Sequence, residues 1–398
     1  RILTVLVVAQ VLSGAGLAAG ITVGALLAQE MLGSTSLAGL PSALFTIGSA
    51  AAAVSVGRIS QRAGRRTGLA LGYGVGAVGS AGVVLAAVLN NVALLFVALF
   101  VYGAGTASNL QARYAGADLA HPSRRGRAVS TVLVATTLGA VVGPNLVAVL
   151  GDLARTWHIP PLAGPFILAA VAYGAAGITL WLLLRPDPLL LARDIAAAGT
   201  APDDTTVAGQ GAQRRLVVTA ATVMIVAQLV MVAIMTMTPV HMLLHGHSVA
   251  AAGLVIAIHV GAMFLPSPLS GWLVDRFGPQ AVAVLSGITL LAAGSLAMIA
   301  PVHSVAVLAV ALALLGLGWS FGLVSGSAML ATALPLATRA RTQGNVDLCI
   351  AVAGAVGGLA SGIVVAVASY PVLAIGGGLV AAAVVPVIAL TFVQRLAR

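Results

Sequence analysis

The chain of 398 residues is 60% hydrophobic and only 7% charged, with a mean hydropathy of +1.11. A soluble domain carries about 25% charged residues, so the composition excludes a water-soluble globular protein and indicates one that lies in a lipid bilayer. The net charge of +10 does not indicate a nucleic-acid partner, because the basic residues, all of them arginine, lie in short segments between apolar runs and form no basic stripe.

Apolar windows of about 20 residues predict an all-α, multi-pass membrane protein with twelve transmembrane helices. The first six windows are 2–28, 37–57, 68–89, 92–113, 127–150 and 162–184. The second six are 216–243, 249–273, 280–300, 303–333, 342–367 and 370–393. The window that follows Arg1 is too long for a cleaved signal peptide, so we interpret it as the first transmembrane helix.

One longer polar segment, 185–215, separates these two sets and contains four aspartates interleaved with proline and glycine. We interpret it as a cytoplasmic linker between an N-terminal half, 1–184, and a C-terminal half, 216–398. Alternate numbering of the loops places every arginine on one side of the membrane except Arg155. The positive-inside rule then predicts a protein of the cytoplasmic membrane with both termini in the cytoplasm.

The two halves repeat in sequence. Val-Ala-Gln occurs at 8–10 and again at 226–228. The loop after the second window and the loop after the eighth share three residues, with Gly57, Arg62 and Gly64 in the first matching Gly271, Arg276 and Gly278 in the second. Arg65 belongs to the first loop only and Asp275 to the second only. Repeats of six helices around a central cavity are typical of secondary transporters.

These two loops, with the segment 139–144 of the fifth window, resemble the major facilitator superfamily and its signature G-x-x-x-D-R-x-G-[RK]-[RK]. The chain departs from that signature at Gln61, where the aspartate should stand, and at Pro279 and Gln280, where the basic pair should stand. The resemblance implies that the loops gate the change between inward-facing and outward-facing states, with a weakened first gate here. The alternative, that they only hold cytoplasmic turns together, stays open.

Soft metal ligands are concentrated in the second half. Met231 and Met235 lie four apart in the seventh window, and His259 and Met263 lie four apart in the eighth. Each pair shares one helical face, and all four fall near the middle of the bilayer. Three thioethers and an imidazole suit Cu(I). A methionine stripe is also ordinary core packing, whereas a histidine at this depth indicates function.

The M-x-x-x-M and H-x-x-x-M pairs are similar to those of the bacterial copper importers that supply cytochrome oxidase assembly, a branch of the same superfamily. That resemblance implies copper uptake, with the ion as substrate rather than as a permanent cofactor. The alternative is proton-coupled efflux of an amphipathic organic compound, favoured by the antiporter-like segment 139–144. Met231, Met235 and Phe264 would then line an apolar pocket.

Several other residues have two interpretations. His241, Met242, His245 and His247 form either a metal entry site at the outer mouth or a solvated loop. Cys349 is either an exit ligand or a small buried side chain. Asp347 either carries a coupling proton or pairs with Arg339 or Arg341.

We also predict that Arg113 and Asp118 form an ion pair. The sequence contains no ATP-binding loop and no recognisable catalytic arrangement, so we predict a transporter and not an enzyme. We expect it to be a monomer whose partners are the bilayer, a small solute and a coupling proton.

Overall fold

The structure, a computed structural model, describes residues 1–32, 40–199, 210–386 and 388, and within these ranges the chain is helical and contains no strand. The first seven helices are α1 (Ile2–Leu32), α2 (Leu40–Val88), α3 (Val92–Ala117), α4 (Arg125–Asn145), α5 (Val147–Thr156), α6 (Gly164–Leu183) and α7 (Pro188–Ala197). The next seven are α8 (Gln210–Leu244), α9 (Val249–Phe264), α10 (Ser267–Phe277), α11 (Pro279–Ile299), α12 (Val305–Ala333), α13 (Arg339–Val367) and α14 (Tyr370–Ala382). Short 3₁₀ turns lie at Pro122–Arg124 and Pro161–Ala163.

These helices correspond to the predicted spans. Eight described segments are long and apolar enough to cross a membrane, and two shorter apolar helices cover Ile2–Leu17 and Tyr370–Pro386. α2 contains both the second and the third span, whereas the eighth span is divided between α9 and α10. The fold is the predicted all-α arrangement of twelve transmembrane helices in two repeats.

The two predicted gating loops contain the same backbone break. Gly64 has φ 88° and ψ 164°, and Gly278 has φ 88° and ψ 152°. Residues with a Cβ rarely adopt this backbone conformation. Around Gly64 the helix continues on both sides, so most of the first loop is helical rather than irregular. In the second half Pro279 lies at the first position of α11 and has no N–H to continue α10, so two separate helices result.

The predicted linker is partly helical. Asp187 Oδ1 accepts hydrogen bonds from the backbone N–H of Leu189 at 3.0 Å and of Leu190 at 3.1 Å, which satisfies the first turn of α7. Asp187 Oδ2 accepts from the N–H of Arg66 at 2.7 Å and so fixes α7 to α2. Part of the predicted linker, Pro188–Ala197, is thus a capped helix, and residues 200–209 lie outside the described residues.

The chain forms two compact units. Unit 1 comprises Arg1–Leu119, Thr131–Asp203 and Pro335–Ala351, and unit 2 comprises Ala120–Ser130, Asp204–Leu334 and Val352–Arg398. Each unit thus contains a short segment that the sequence places in the other half. The boundary at 185–215 stays a prediction.

Each of these short segments contains a glycine at which its backbone lies very close to the backbone of a neighbouring helix. In unit 1 a Cβ at Gly344 would lie 2.6 Å from Ala53 O, and in unit 2 a Cβ at Gly126 would lie 2.5 Å from Gly271 O. Both distances are shorter than real Cβ contacts, so only glycine allows the backbones to approach this closely.

Candidate functional site

A closed network of polar side chains surrounds Gln10 in unit 1. Gln10 Nε2 donates to Asn109 O at 3.1 Å and to Thr136 Oγ1 at 3.0 Å, and its Oε1 accepts from Tyr73 at 2.6 Å. Asn109 Nδ2 donates to Ser13 Oγ at 2.8 Å, and Ser13 in turn contacts the Tyr73 hydroxyl at 3.0 Å. All five residues are buried. Because Gln10 uses its acceptor and both donors inside the protein, this network holds helices together and offers nothing to a solute.

The corresponding glutamine of unit 2, Gln228, has different surroundings. The indole Nε1 of Trp319 donates to Gln228 Oε1 at 2.7 Å. Phe264 meets the Trp319 ring edge-on, with centroids 5.7 Å apart and planes at 75°. The amide of Gln228 lies against Gly354, where an added Cβ would be 3.1 Å from Nε2. Gln228 and Phe264 stay half-buried and Trp319 is buried beside them, so an amide and two aromatic rings form one partly accessible cluster.

Two further methionines of α8, Met224 and Met242, are core residues. Met224 is buried against α12, where Ser327 Oγ donates to its sulfur at 3.8 Å and Gly326 gives the side chain room. Met242 is fully buried, so it does not belong to a solvated loop, and its part in metal entry stays a prediction. Tertiary packing explains both, because thioethers fill irregular gaps between helices.

The four predicted copper ligands lie on two helices of unit 2. Met231 is buried and Met235 half-buried on α8, and His259 and Met263 are both buried on α9. α9 packs closely on α12, where a Cβ at Gly316 would lie 2.5 Å from the His259 carbonyl oxygen.

The ring of His259 has one bonded and one unbonded nitrogen. Nδ1 lies 2.9 Å from Leu312 O, and because a carbonyl can only accept, Nδ1 carries the proton. Nε2 is therefore an acceptor, and it is buried with no hydrogen-bond partner in the described part of the chain. An imidazole oriented by a carbonyl in this way can bind a metal ion or a donor on a solute through Nε2.

The three histidines at and beyond the end of α8 make hydrogen bonds or ring contacts with other residues of the protein. His241 stacks on Tyr370, with centroids 4.4 Å apart and planes at 16°. His245 Nδ1 donates to His241 O and His247 Nε2 donates to Val302 O, each at 2.8 Å. Across the described ranges, no group of three or more His, Cys, Asp or Glu side chains is arranged to hold a metal ion.

Two buried ion pairs in unit 1 differ from the predicted ones. Arg113 Nη2 donates to Asp347 Oδ1 at 2.7 Å, so Asp347 forms an ion pair with Arg113, a partner that the sequence did not predict. Asp118 pairs with Arg65 at 2.8 Å, so the predicted pair of Arg113 with Asp118 is wrong. Helix packing explains the change, because it brings together side chains that are far apart in sequence.

Cys349, two residues beyond Asp347 on α13, is exposed. The interpretation of Cys349 as a small buried side chain is therefore wrong, and its predicted part in metal exit stays a prediction.

The two gating loops cap helix ends with different chemistry. In unit 1, Gln61 Oε1 accepts from the N–H of Ala340 at 2.7 Å and of Arg341 at 3.2 Å, at the start of α13. In unit 2, Asp275 accepts from the N–H of Gly126 at 2.8 Å and of Arg127 at 3.1 Å, at the start of α4. The neutral amide thus does in one repeat what the carboxylate does in the other. Among the other loop residues, Arg62 and Arg276 are exposed and Arg65 is buried.

Trp319 is the functional candidate that sequence reasoning missed. It lies in the glycine-rich run Leu315–Gly322 of the tenth span, where an aromatic residue between glycines is a signal for a ring packed against close backbones. That signal does not identify Gln228 as its partner, because the two residues are 91 positions apart.

The whole chain matches known transporters. A family model described as Major Facilitator Superfamily matches residues 6–266 and 220–397. The uncharacterized MFS-type transporter YdeG of Bacillus subtilis (strain 168) is 55% identical over 391 residues, which are 98% of this chain and 91% of that protein. The riboflavin transporter RfnT of Brucella anthropi is 32% identical over 350 residues, which are 87% of this chain and 84% of that protein.

Solved structures share the fold. The human organic anion transporter MFSD10 superimposes with a TM-score of 0.76 at 16% identity, over 98% of this chain and 99% of that one. At that identity the likeness concerns the fold alone. The resemblance to copper importers has no support among these relatives.

Proposed function

This chain belongs to the major facilitator superfamily, whose members are transporters rather than enzymes, and we propose that it carries a planar heteroaromatic solute of the riboflavin type across a bilayer. The observation that carries the proposal is the hydrogen bond from Trp319 to Gln228, with Phe264 on the indole. Flat heteroaromatic rings stack on aromatic side chains. Their carbonyl and N–H edges match a primary amide, which both donates and accepts.

Charge and relatedness support the same solute class. Trp319, Gln228 and Phe264 are uncharged and lie within membrane-spanning helices, so they suit a neutral ring system better than an ion. RfnT, a riboflavin transporter by name, is 32% identical to this chain. The proposal retains the organic solute of the efflux alternative but leaves the direction of transport to be measured.

Flavin transport by the purified protein in proteoliposomes tests the proposal. We expect riboflavin to accumulate or exit faster than in empty vesicles, as measured by flavin fluorescence. Trp319→Leu should reduce the rate at subsaturating riboflavin about tenfold or more, since one stacking contact is worth about 1–3 kcal/mol. The matched control is Trp272→Leu, because Trp272 is exposed on α10 and packs only edge-on against Phe277. Absence of flavin transport, or equal loss in both variants, would contradict the proposal.

Copper uptake through Met231, Met235, His259 and Met263 is the second candidate, and the unpartnered Nε2 of His259 favours it. Soft neutral donors suit Cu(I). Copper accumulation in cells should then fall in a variant with His259→Ala and Met263→Ala and stay unchanged in His303→Ala, which removes an exposed histidine. Equal accumulation in all three proteins would remove the copper candidate.

The cellular setting completes the proposal. We place the protein in the cytoplasmic membrane of a bacterium as a monomer with both termini inside. The arginine asymmetry of the loops supports this orientation, and the Bacillus and Brucella relatives support a bacterial membrane.

A further inference from the structure

Two histidine rings lie side by side at one end of α8. Arg214 and Arg215 lie near the start of this helix, whereas His241 lies in its last turn and His245 follows its last residue. The two histidines are four residues apart, so their side chains project from the same face. Their ring centroids are 4.3 Å apart, with the planes at 50°. Both residues belong to unit 2, so the pair is a feature of that unit alone.

The ring of His245 is held in one orientation. Its Nδ1 lies 2.8 Å from the backbone oxygen of His241. Because a carbonyl can only accept, Nδ1 carries the proton and Nε2 keeps a lone pair. The side chain is exposed, so an ion from solvent can reach it. Histidine ligands of metal ions are oriented in the same way, by a hydrogen bond that the other ring nitrogen donates.

The ring of His241 is held by its face. It stacks on Tyr370 of α14, with centroids 4.4 Å apart and planes at 16°. The Tyr370 hydroxyl lies 2.9 Å from Thr238 Oγ1, which fixes the tyrosine against α8. Stacking uses the flat face of an imidazole, whereas both of its nitrogens lie at the ring edge. His241 is half-buried, so a ligand atom can still approach that edge.

The spacing of the two rings suits a shared metal ion. A metal–nitrogen bond of about 2.1 Å places an ion about 3.2 Å from the centroid of an imidazole. Two centroids that are 4.3 Å apart then subtend about 85° at the ion. Neighbouring ligands of an octahedral or square-planar ion lie at about 90°. One ion can therefore bind both rings.

The chemistry of the surroundings selects the class of ion. Imidazole suits Zn²⁺, Cu²⁺ and Ni²⁺, whereas Mg²⁺ and Ca²⁺ require oxygen ligands. Residues 238–250 contain no aspartate or glutamate, and neither do residues 301–305, which follow α11. In the described ranges no third His, Cys, Asp or Glu completes the pair. Water would take the remaining coordination positions, so the ion would exchange with the medium.

We propose that His241 and His245 bind one divalent transition-metal ion, of the Cu²⁺, Ni²⁺ or Zn²⁺ class, at this end of α8. The bound ion joins the last turn of α8 to the residue that follows it. It also makes the His241 ring more cationic, which strengthens its stacking on Tyr370 and hence the contact of α8 with α14. The site does not depend on the proposed function, and its test uses no solute.

Calorimetric titration of the purified full-length protein, without a polyhistidine tag, measures this site. We expect one Zn²⁺ or Cu²⁺ per chain, with Cu²⁺ bound more tightly than Zn²⁺ or Ni²⁺, and no binding of Mg²⁺. His245→Ala should raise the Kd for Zn²⁺ at least tenfold, since the loss of even an indirect partner of a metal ligand costs about tenfold or more. The matched control is His303→Ala, which removes an exposed histidine before α12 and should leave the Kd unchanged.

Two more measurements identify the ligands. His247→Ala should keep the Kd for Zn²⁺ within threefold of wild type, because the His247 ring is bonded to Val302 O. Pulsed EPR of bound Cu²⁺ should detect two imidazole ligands. Absence of Zn²⁺ and Cu²⁺ binding, a single imidazole, or an equal loss in His245→Ala and either control variant would overturn the proposal. Retention in His245→Ala with loss in His259→Ala would place the ion among the mid-membrane residues and would also overturn it.

Discussion

The surroundings of Gln10 and Gln228 differ sharply although both residues end the same Val-Ala-Gln repeat. Gln10 is fully buried and bonded to Tyr73, Asn109 and Thr136. Gln228 is half-buried and is bonded by Trp319. The same residue thus has a structural role in unit 1, whereas in unit 2 it is the residue that we propose to bind the solute. Under this proposal a symmetric scaffold carries its binding chemistry in one repeat only.

The residue types around each glutamine explain this difference. Two hydroxyls and a backbone carbonyl satisfy Gln10 from several helices, and the neighbouring Ser13 and Asn109 side chains complete the network. Around Gln228 the sequence supplies an indole, which has one donor and no acceptor, and Gly354, which has no side chain. Such neighbours cannot close a network, so part of the amide stays available.

The largest expected effect on stability is that of Gln10→Leu. This substitution removes three buried hydrogen bonds, to the Tyr73 hydroxyl, the Thr136 hydroxyl and the Asn109 carbonyl, although Tyr73 keeps its contact with Ser13. We expect the free energy of unfolding in detergent to fall by about 3 kcal/mol, since each lost hydrogen bond contributes about 0.5–1.5 kcal/mol. The control is Ser80→Ala, because Ser80 bonds only the carbonyl of Gly76 in its own helix. An equal, small effect in both variants would contradict the closed network.

The next effect compares the two helix caps. Asp275→Ala removes a charged cap from α4, and we expect a loss of about 1–2 kcal/mol of unfolding free energy. Gln61→Ala removes a neutral cap from α13 and should cost about 1 kcal/mol. Thermal unfolding at low and high salt separates them, because salt screens the interactions of the Asp275 charge with the helix end and with Arg127, 3.7 Å away, and does not screen a neutral cap.

If the Gln61 contribution also falls with salt, the account of a neutral cap in unit 1 is wrong. Asp152→Ala is the reference for an exposed acid, since Asp152 forms only a surface pair with Arg155.

The smallest effect concerns the room that Gly354 leaves for Gln228. A Cβ there would lie 3.1 Å from Gln228 Nε2, so Gly354→Ala should displace the amide slightly and raise the Kd for riboflavin about threefold, a fraction of one hydrogen bond. In the control, Gly358→Ala, the added Cβ lies 3.6 Å from Val232, an ordinary contact, and we expect no change in Kd. Equal effects of the two substitutions would show that the amide is not part of the site.

Sequence reasoning predicted the fold because the signals are local. Each apolar run identifies its own helix, and Gly64 and Gly278 mark the same break in both repeats. The buried ion pairs were not predictable from the sequence, because they depend on which helices pack together. Asp347 is 234 residues from Arg113, and local proximity suggested Arg339 and Arg341 instead. Helical spacing likewise placed His259 and Met263 on one face but could not show that both are buried.

Equilibrium binding of riboflavin to purified Gln228→Leu, followed by flavin fluorescence, tests the central claim most directly. The same samples are unfolded thermally, so that binding and stability are read on one preparation. We expect the Kd to rise about tenfold, which is the loss of one good hydrogen bond to a solute, while the unfolding midpoint stays near that of the wild type. A wild-type Kd, or a Kd that changes only together with a large loss of stability, would show that Gln228 is structural like Gln10 and would contradict the account.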